Sequence, residues 1–289
     1  MSLVRLEAMR VCQRVLAWSL AVGLGVPCAA QEAGLRARHH PWGRFQPGAW
    51  KLVRTVTETL DSQGLVMSTS VTETKTTLVK VDADGVVLEV EVGIEVAGKQ
   101  FDGQPQCIKQ GFHGEPASAD VKAKPPVPAQ VTIDDRKVDC LVQQVDFSAA
   151  HGHTSASIYY SDTLAPYVLK REGTTTDPET QDVLGATSMN VLALDMPQKV
   201  LAEIKSAACL KIVQRHATGT VVTLAMTCGE VPGGVVSHLS KETDKSGRLV
   251  CRSNLELLGY GLHPEEERSG LFGRKRPRGR KAAQYVPAR

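Results

Sequence analysis

Aromatic residues are scarce in this chain: three tryptophans, five tyrosines and five phenylalanines among 289 residues. Sugar- and base-stacking platforms need such rings close together, so the composition speaks against a lectin or a single-strand binder. Catalytic signatures are missing too, with no Gly-x-Ser-x-Gly elbow, no Ser-x-x-Lys and no His-Glu-x-x-His helix. A serine, a histidine and an acid from separate strands could still meet in space, so this absence lowers the enzyme reading without removing it. Long hydrophobic runs are absent as well. The stretch Val15–Val26 is twelve residues long, too short at ~1.5 Å per residue to span ~30 Å of hydrocarbon.

That short run has a meaning of its own. Arg5, Arg10 and Arg14 precede it, and Pro27-Cys28-Ala29-Ala30 follows with small residues near Gln31. This is the layout of a secretory signal peptide over 1–30, with export to the periplasm or the extracellular space after cleavage near Ala30. Gly25-Val26-Pro27 matches the box that precedes a lipid-modified cysteine poorly, so soluble export is the expectation. Five cysteines then remain, Cys107, Cys140, Cys209, Cys228 and Cys251. In an oxidising compartment they read either as one or two disulfides with at least one thiol left over or as buried reduced thiols, and the spacings do not choose.

Charge is divided unevenly along the rest of the chain. Residues 31–269 carry 24 basic and 30 acidic side chains, whereas 270–289 carry seven basic and no acidic ones. The tail over 263–289 reads as disordered, and Arg274, Lys275, Arg276, Arg278, Arg280 and Lys281 are its candidate contacts to an anionic surface.

What the chain does have is β-branched residues, 34 valines and 21 threonines, which fit a pleated surface better than a helix. An irregular lead-in over 31–48 precedes a β-rich domain over 49–262. AWKLVRTVTETL and LVMSTSVTETKTTLVKV flank the turn Asp61-Ser62-Gln63-Gly64 and read as antiparallel neighbours. In VLEVEVGIEV one face carries Leu88, Val90, Val92, Ile94 and Val96, and the other carries Glu89, Glu91 and Glu95, the period-two pattern of a strand between core and water. Thr72, Thr74 and Thr76 share a face of the preceding strand, which reads as a solvated face, with a hydroxyl array for a ligand as the sharper alternative. Residues 113–130, rich in proline, read as a linker or long loop. One helix is expected where Asp195 could cap, Pro197 could start and Val200, Ile204 and Ala207 or Ala208 recur. The second half holds an apparent duplication: SDTLAPYVLKRE followed by TSMNVLAL matches GEVPGGVVSHLSKE followed by RSNLELLGY in elbow, strand, turn and strand.

The elbow Val231-Pro232-Gly233-Gly234-Val235-Val236 and the closing NLELLGYG resemble elements of exported bacterial sheet-rich proteins. Some of these are similar to the lipoprotein-carrier half-barrel, and that resemblance implies a curved antiparallel sheet wrapped around helices. It brings no catalytic residues with it. The fold expected is therefore mainly β, a large antiparallel curved sheet or half-barrel with about one helix and duplicated hairpins in the second half.

Candidate chemistry is thin. Asp82, Asp84, Gly85, Val87 and Glu91 have the spacing of a calcium loop, but Lys80 stands at the first ligand position, so a hairpin turn is expected there. His39, His40, His113, His151, His153, His216, His238 and His263 show no converging spacing and read as solvated turn residues, which leaves no metal, cofactor or catalytic assignment. The function expected is an exported, non-enzymatic binding or interaction protein of the cell envelope, with an apolar ligand or an envelope component as partner. The alternatives are an exported hydrolase whose site forms only in three dimensions and a structural envelope protein adhering through its tail.

Overall fold

The computed structural model describes residues 34–116, 119–149 and 152–264. The leader over 1–30 and the basic tail residues Arg274 to Lys281 lie outside them. The described chain is almost wholly strand, in the order β1 (Trp50–Leu60), β2 (Val66–Val81), β3 (Gly85–Val96), β4 (Lys99–Asp102), β5 (Gln106–Gly111), β6 (Asp120–Ala123), β7 (Val127–Ile133), β8 (Arg136–Ala149), β9 (Gly152–Tyr160), β10 (Val168–Thr176), β11 (Val183–Val200), β12 (Glu203–His216), β13 (Gly219–Thr227), β14 (Val235–Asp244) and β15 (Leu249–Gly261). All belong to one antiparallel sheet that runs β4-β3-β2-β1-β15-β14-β13-β12-β11-β10-β9-β8-β6, with β5 also on β3 and β7 also on β8. The long pairing of β1 with β15 joins the first strand to the last and places the chain's early hairpins beside its late ones.

The sheet is open but strongly curled. β3 and β9 stand nine strand steps apart, which in a flat sheet is ~43 Å at ~4.8 Å per step. Yet Leu78, Leu88 and Val90 from β2 and β3 share one core with Val145, Phe147, Ile158 and Leu169 from β8, β9 and β10. Only curling brings these faces together. The helices implied by the half-barrel resemblance do not fill the inside. Among the described residues the one helical element is a 3-10 turn at Ala37–His39, and no helix is long and apolar enough to cross a membrane. The lead-in and the segment after β5 lie there instead: Leu35 N–H donates to Gln143 Oε1 on β8 at 3.3 Å, and His113 Nε2 meets the same oxygen at 3.3 Å.

Two sequence expectations change. The expected helix is a hairpin, with β11 and β12 joined at Leu201 and Ala202. Asp195 does not cap; it sits at a positive φ of 52° in a break of register between Ala193 and Met196, and its carboxylate accepts from Ser206 Oγ at 3.0 Å. A single short helix is marginal in water, whereas the ladder from Met196–Ala207 to Val200–Glu203 continues a sheet already formed. Ile204, counted towards the helix's apolar face, is 78% exposed. The stretch 113–130 contains β6 and the start of β7, both paired with β8. Of the two cysteine readings left open, the reduced one holds among the described residues: Cys140, Cys228 and Cys251 are buried thiols, Cys209 is half-buried and Cys107 is exposed on β5.

The expected hairpins are present. β1 pairs with β2, β10 with β11 and β14 with β15, and the two repeated elbows become the loops 161–167 and 228–234. Gly85, the first residue of β3 and paired with Gly111 on β5, permits the closest backbone approach in this region, since a Cβ there would stand 2.2 Å from the Gln110 carbonyl oxygen. Gly85→Ala should therefore pry β5 off β3. Amide exchange should speed up at Gln106–Gly111 by at least tenfold while β8–β15 stay protected.

Candidate functional site

Register fixes which side chains face the inside. Crossing the sheet from β2, one row reads Ser70, Thr57, Ser253, Ser240 and Thr223, five hydroxyls on five adjacent strands. A neighbouring row holds Thr72, Thr55, Leu255, His238, Ala225 and Leu210, and the row on the other side holds Thr59, Cys251, Glu242 and Val221. The interior is thus apolar where β3 and β8–β12 line it and polar where β1, β2, β14 and β15 do. An apolar ligand or an envelope component was the expected partner, and this polar half is not what an apolar ligand alone would call for. Thr72, Thr74 and Thr76 face inward and are buried, so the solvated-face reading of these threonines fails.

The strands of the polar half invert the usual alternation. In β14, Val236, His238, Ser240 and Glu242 point in, while Leu239 points out and is 62% exposed beside its outward partner Leu224 on β13. A reading by hydrophobic period buries Leu239 and exposes His238. For that reason the sequence hid these residues.

Three inward atoms stand out. His238 Nε2, Glu242 Oε2 and Ser253 Oγ are shut off from solvent and meet no hydrogen-bond partner, in residues only 8%, 7% and 8% exposed. Each such group costs ~1–3 kcal/mol. Ser240 Oγ, between them, is satisfied by Thr223 Oγ1 at 2.9 Å. Burial and, to a lesser extent, the charge of Lys51 push His238 down to about 4, and burial alone raises the Glu242 carboxyl.

Lys51 stands at one end of this polar half. Its side chain is buried, and its ammonium lies 3.4 Å from the Gly233 and Val235 carbonyl oxygens and 5.8 Å from the centre of the Trp42 ring. Burial lowers it to about 8.

The lead-in covers this end as a strap across both repeated elbows. On the first elbow, Asp162 accepts from His39 Nε2 and Arg38 Nη2, each at 2.6 Å, and the Arg44 guanidinium lies 4.5 Å over the Tyr167 ring. On the second, Gly233 N–H donates to the Pro41 carbonyl at 3.0 Å, and Gly233, at φ +71°, lies so close to Trp42 that a Cβ would sit 2.7 Å from its ring.

Several histidines read as solvated are in fact buried: His39, His40, His113 and His238. His39 forms a histidine–carboxylate pair, but both its nitrogens are committed. Arg36 N–H donates to Nδ1 at 2.9 Å, so Nε2 carries the proton that Asp162 accepts. This is a clasp and leaves no nitrogen for substrate. A second grouping, Ser148, His153 and Asp146, has a Ser148 Oγ to His153 Nδ1 distance of 3.1 Å but 3.9 Å from His153 to Asp146, on the outer face of β8 and β9. Asp82 and Asp84, the calcium-loop candidates, pair with Lys80 and Lys109. Among the described residues no three His, Cys, Asp or Glu side chains come together as a metal set. A cleft of about 270 Å³ lies between β7 and β9–β11, lined by Ile133, Tyr159, Lys170 and Asn190 among others, slightly below the ~300 Å³ at which ligand pockets begin.

Comparison with known proteins adds little. No family model and no curated protein matches the chain. Among solved structures, it is similar to a protein from Bacteroides fragilis NCTC 9343 described as exported, with a YmcC-like fold: 8% identity, 74% of this chain and 97% of that one covered, TM-score 0.30. It is also similar to a protein from Parabacteroides distasonis ATCC 8503 described as a lipoprotein, with 12% identity, the same two coverages and a TM-score of 0.27. Likenesses of this size leave the function to the chain's own residues.

The buried histidines set a pH dependence. His238, at about 4, and His40, lowered by burial to about 3, are neutral in the fold, whereas in the unfolded chain they protonate near 6.5. Below pH 6.5 the unfolded state therefore binds more protons and stability falls, until the folded histidines also protonate. The raised Glu242 carboxyl acts in the opposite direction. At ~1.4 kcal/mol per pH unit, His238 alone should remove on the order of 3 kcal/mol between pH 7 and pH 4. Urea unfolding across that range should show the loss, and His238→Leu should reduce it.

Proposed function

We propose that the protein is an exported, non-enzymatic binding protein of the cell envelope that holds its ligand on the polar half of the curled sheet's inner face. One observation carries this reading: His238 Nε2 and Glu242 Oε2 on β14 and Ser253 Oγ on the neighbouring β15 are each buried on the inner face without a partner. Native interiors satisfy nearly all their buried polar groups, and three exceptions on one inner face mark groups whose partners come from a ligand. Export is supported by the arginine-led apolar segment before Gln31.

The hydrolase reading has less behind it. Its two histidine–acid groupings are a clasp with both nitrogens used and an exposed surface cluster, and neither belongs to the polar interior. The test is to purify the protein from its own envelope fraction, extract it with organic solvent and analyse the extract by mass spectrometry. One compound in near-stoichiometric amount is expected, with no turnover of ester, glycoside or peptide substrates. An empty extract, or turnover abolished by an active-site inhibitor, contradicts the proposal.

A further inference from the structure

β11 and β12 run on past their neighbours. Beyond Asn190 the first has no β10 partner, and before Ala208 the second has no β13 partner, so the rungs from Met196–Ala207 to Val200–Glu203 form a projecting hairpin. The hairpin is firmly seated. Val200 and Ala207 are buried in a cluster with Cys228, Val231 and Val236, and Lys205 Nζ lies 2.6 Å from Glu230 Oε2 and 3.0 Å from Glu203 Oε2. What it turns to water is apolar: Met196, Leu201 and Ile204 are 42%, 43% and 78% exposed, with Lys199 exposed among them. One exposed apolar side chain is ordinary, but three within nine residues of a seated tip make a contact surface.

The chain leaves the sheet at this same end. Glu230 belongs to the 228–234 elbow, whose Gly233 carbonyl accepts from Lys51 Nζ at 3.4 Å; Lys51 is opposite Tyr260 near the end of β15, and Pro264 follows so close to the start of β1 that a Cβ on Gly48 would stand 2.5 Å from its ring. Seven basic and no acidic residues lie over 270–289. Arg274 is ten residues beyond Pro264, a reach of at most ~35 Å. We propose that this end of the molecule docks on an anionic bilayer surface, with Leu201 and Ile204 entering the interface and the basic stretch from Arg274 to Lys281 meeting the lipid phosphates. Either attachment alone is weak, and an apolar anchor joined to a polybasic stretch holds. Charge near the tip permits the approach, since Lys205 offsets Glu203 and Glu230 and Lys199 adds a positive charge. The opposite end of the sheet also exposes Leu65, Met67 and Val183, but these adjoin Asp61 and the turn 177–182 with Asp177, Glu179 and Asp182, which a negative surface repels. Docking is independent of what the inner face holds.

The experiment sediments the protein, purified from its own envelope fraction, with vesicles of mixed phosphatidylglycerol and phosphatidylcholine or of phosphatidylcholine alone, at low and at high salt. The mixed vesicles should carry the protein down at low salt, and binding should fall roughly tenfold on phosphatidylcholine alone or at high salt. Leu201→Ser combined with Ile204→Ser removes no buried side chain, so the variant should stay folded and bind the mixed vesicles roughly tenfold more weakly. Leu65→Ser combined with Met67→Ser should bind as the unaltered protein does. Full binding by the folded Leu201 and Ile204 variant overturns the proposal by leaving a contact of the basic stretch alone. Equal binding to the two kinds of vesicle, no binding to either, or a loss confined to the Leu65 and Met67 variant also overturns it. So does sedimentation without vesicles, which would assign the apolar tip to a second copy of the chain. Should the double serine variant fail to fold, Ile204→Ser alone, at the most exposed of the three positions, decides.

Discussion

Replacing His238 with leucine, Glu242 with methionine and Ser253 with alanine should raise the stability of the ligand-free protein by about 3 kcal/mol. The sign is unusual, since most core substitutions destabilise. It follows from the bookkeeping of buried polar groups: an unmade hydrogen bond costs ~1–3 kcal/mol for each group, and an apolar group of similar shape removes that cost. His238 Nε2, Glu242 Oε2 and Ser253 Oγ are all in that position. The three sit on two neighbouring strands, so their effects should not add fully. Chemical denaturation at pH 7 measures the gain, and loss of ligand should accompany it. On the proposed function, these groups are kept against the protein's own stability because a ligand satisfies them.

The second large effect runs the other way. Trp42→Ala should destabilise by about 3–5 kcal/mol, the range for deleting a buried aromatic ring. Trp42 belongs to the main core, packs on Gly233 and covers the Lys51 ammonium. Its loss should loosen the strap from the 228–234 elbow while the Asp162 clasp to Arg38 and His39 holds the other elbow. Equilibrium unfolding gives the magnitude. Proteolysis within 34–48 should quicken in the variant, since the strap's two attachments are separate.

How legible this was in the sequence depends on the strand. The existence and pairing of β1, β2 and β3 could be read from their alternation and from turns that carry Asp and Gly, and for β3 the inward face could be read as well. The mainly β, antiparallel character and the two repeated hairpins followed from the same signals. β14 could not be read in this way, because Leu239 faces water and His238 the interior, and a period-two pattern has no means of telling which face a curled sheet turns inward. Thr72, Thr74 and Thr76 show the same ambiguity, as their alternation was visible and their side was not. The false helix at Asp195 arose because a hairpin with a break of register spaces Val200, Ile204 and Ala207 much as a helix would. The pairing of the strap with both elbows depends on contacts such as His39 to Asp162, 123 residues apart, and no local pattern records them.

The central claim is that the polar half of the inner face is a ligand site, and native mass spectrometry of the protein purified from its own envelope fraction tests it most directly. The unaltered protein should carry a non-covalent mass that denaturing conditions release, and the folded His238→Leu, Glu242→Met, Ser253→Ala variant should carry none. A bare polypeptide mass for the unaltered protein, or the same added mass on the triple variant, contradicts it.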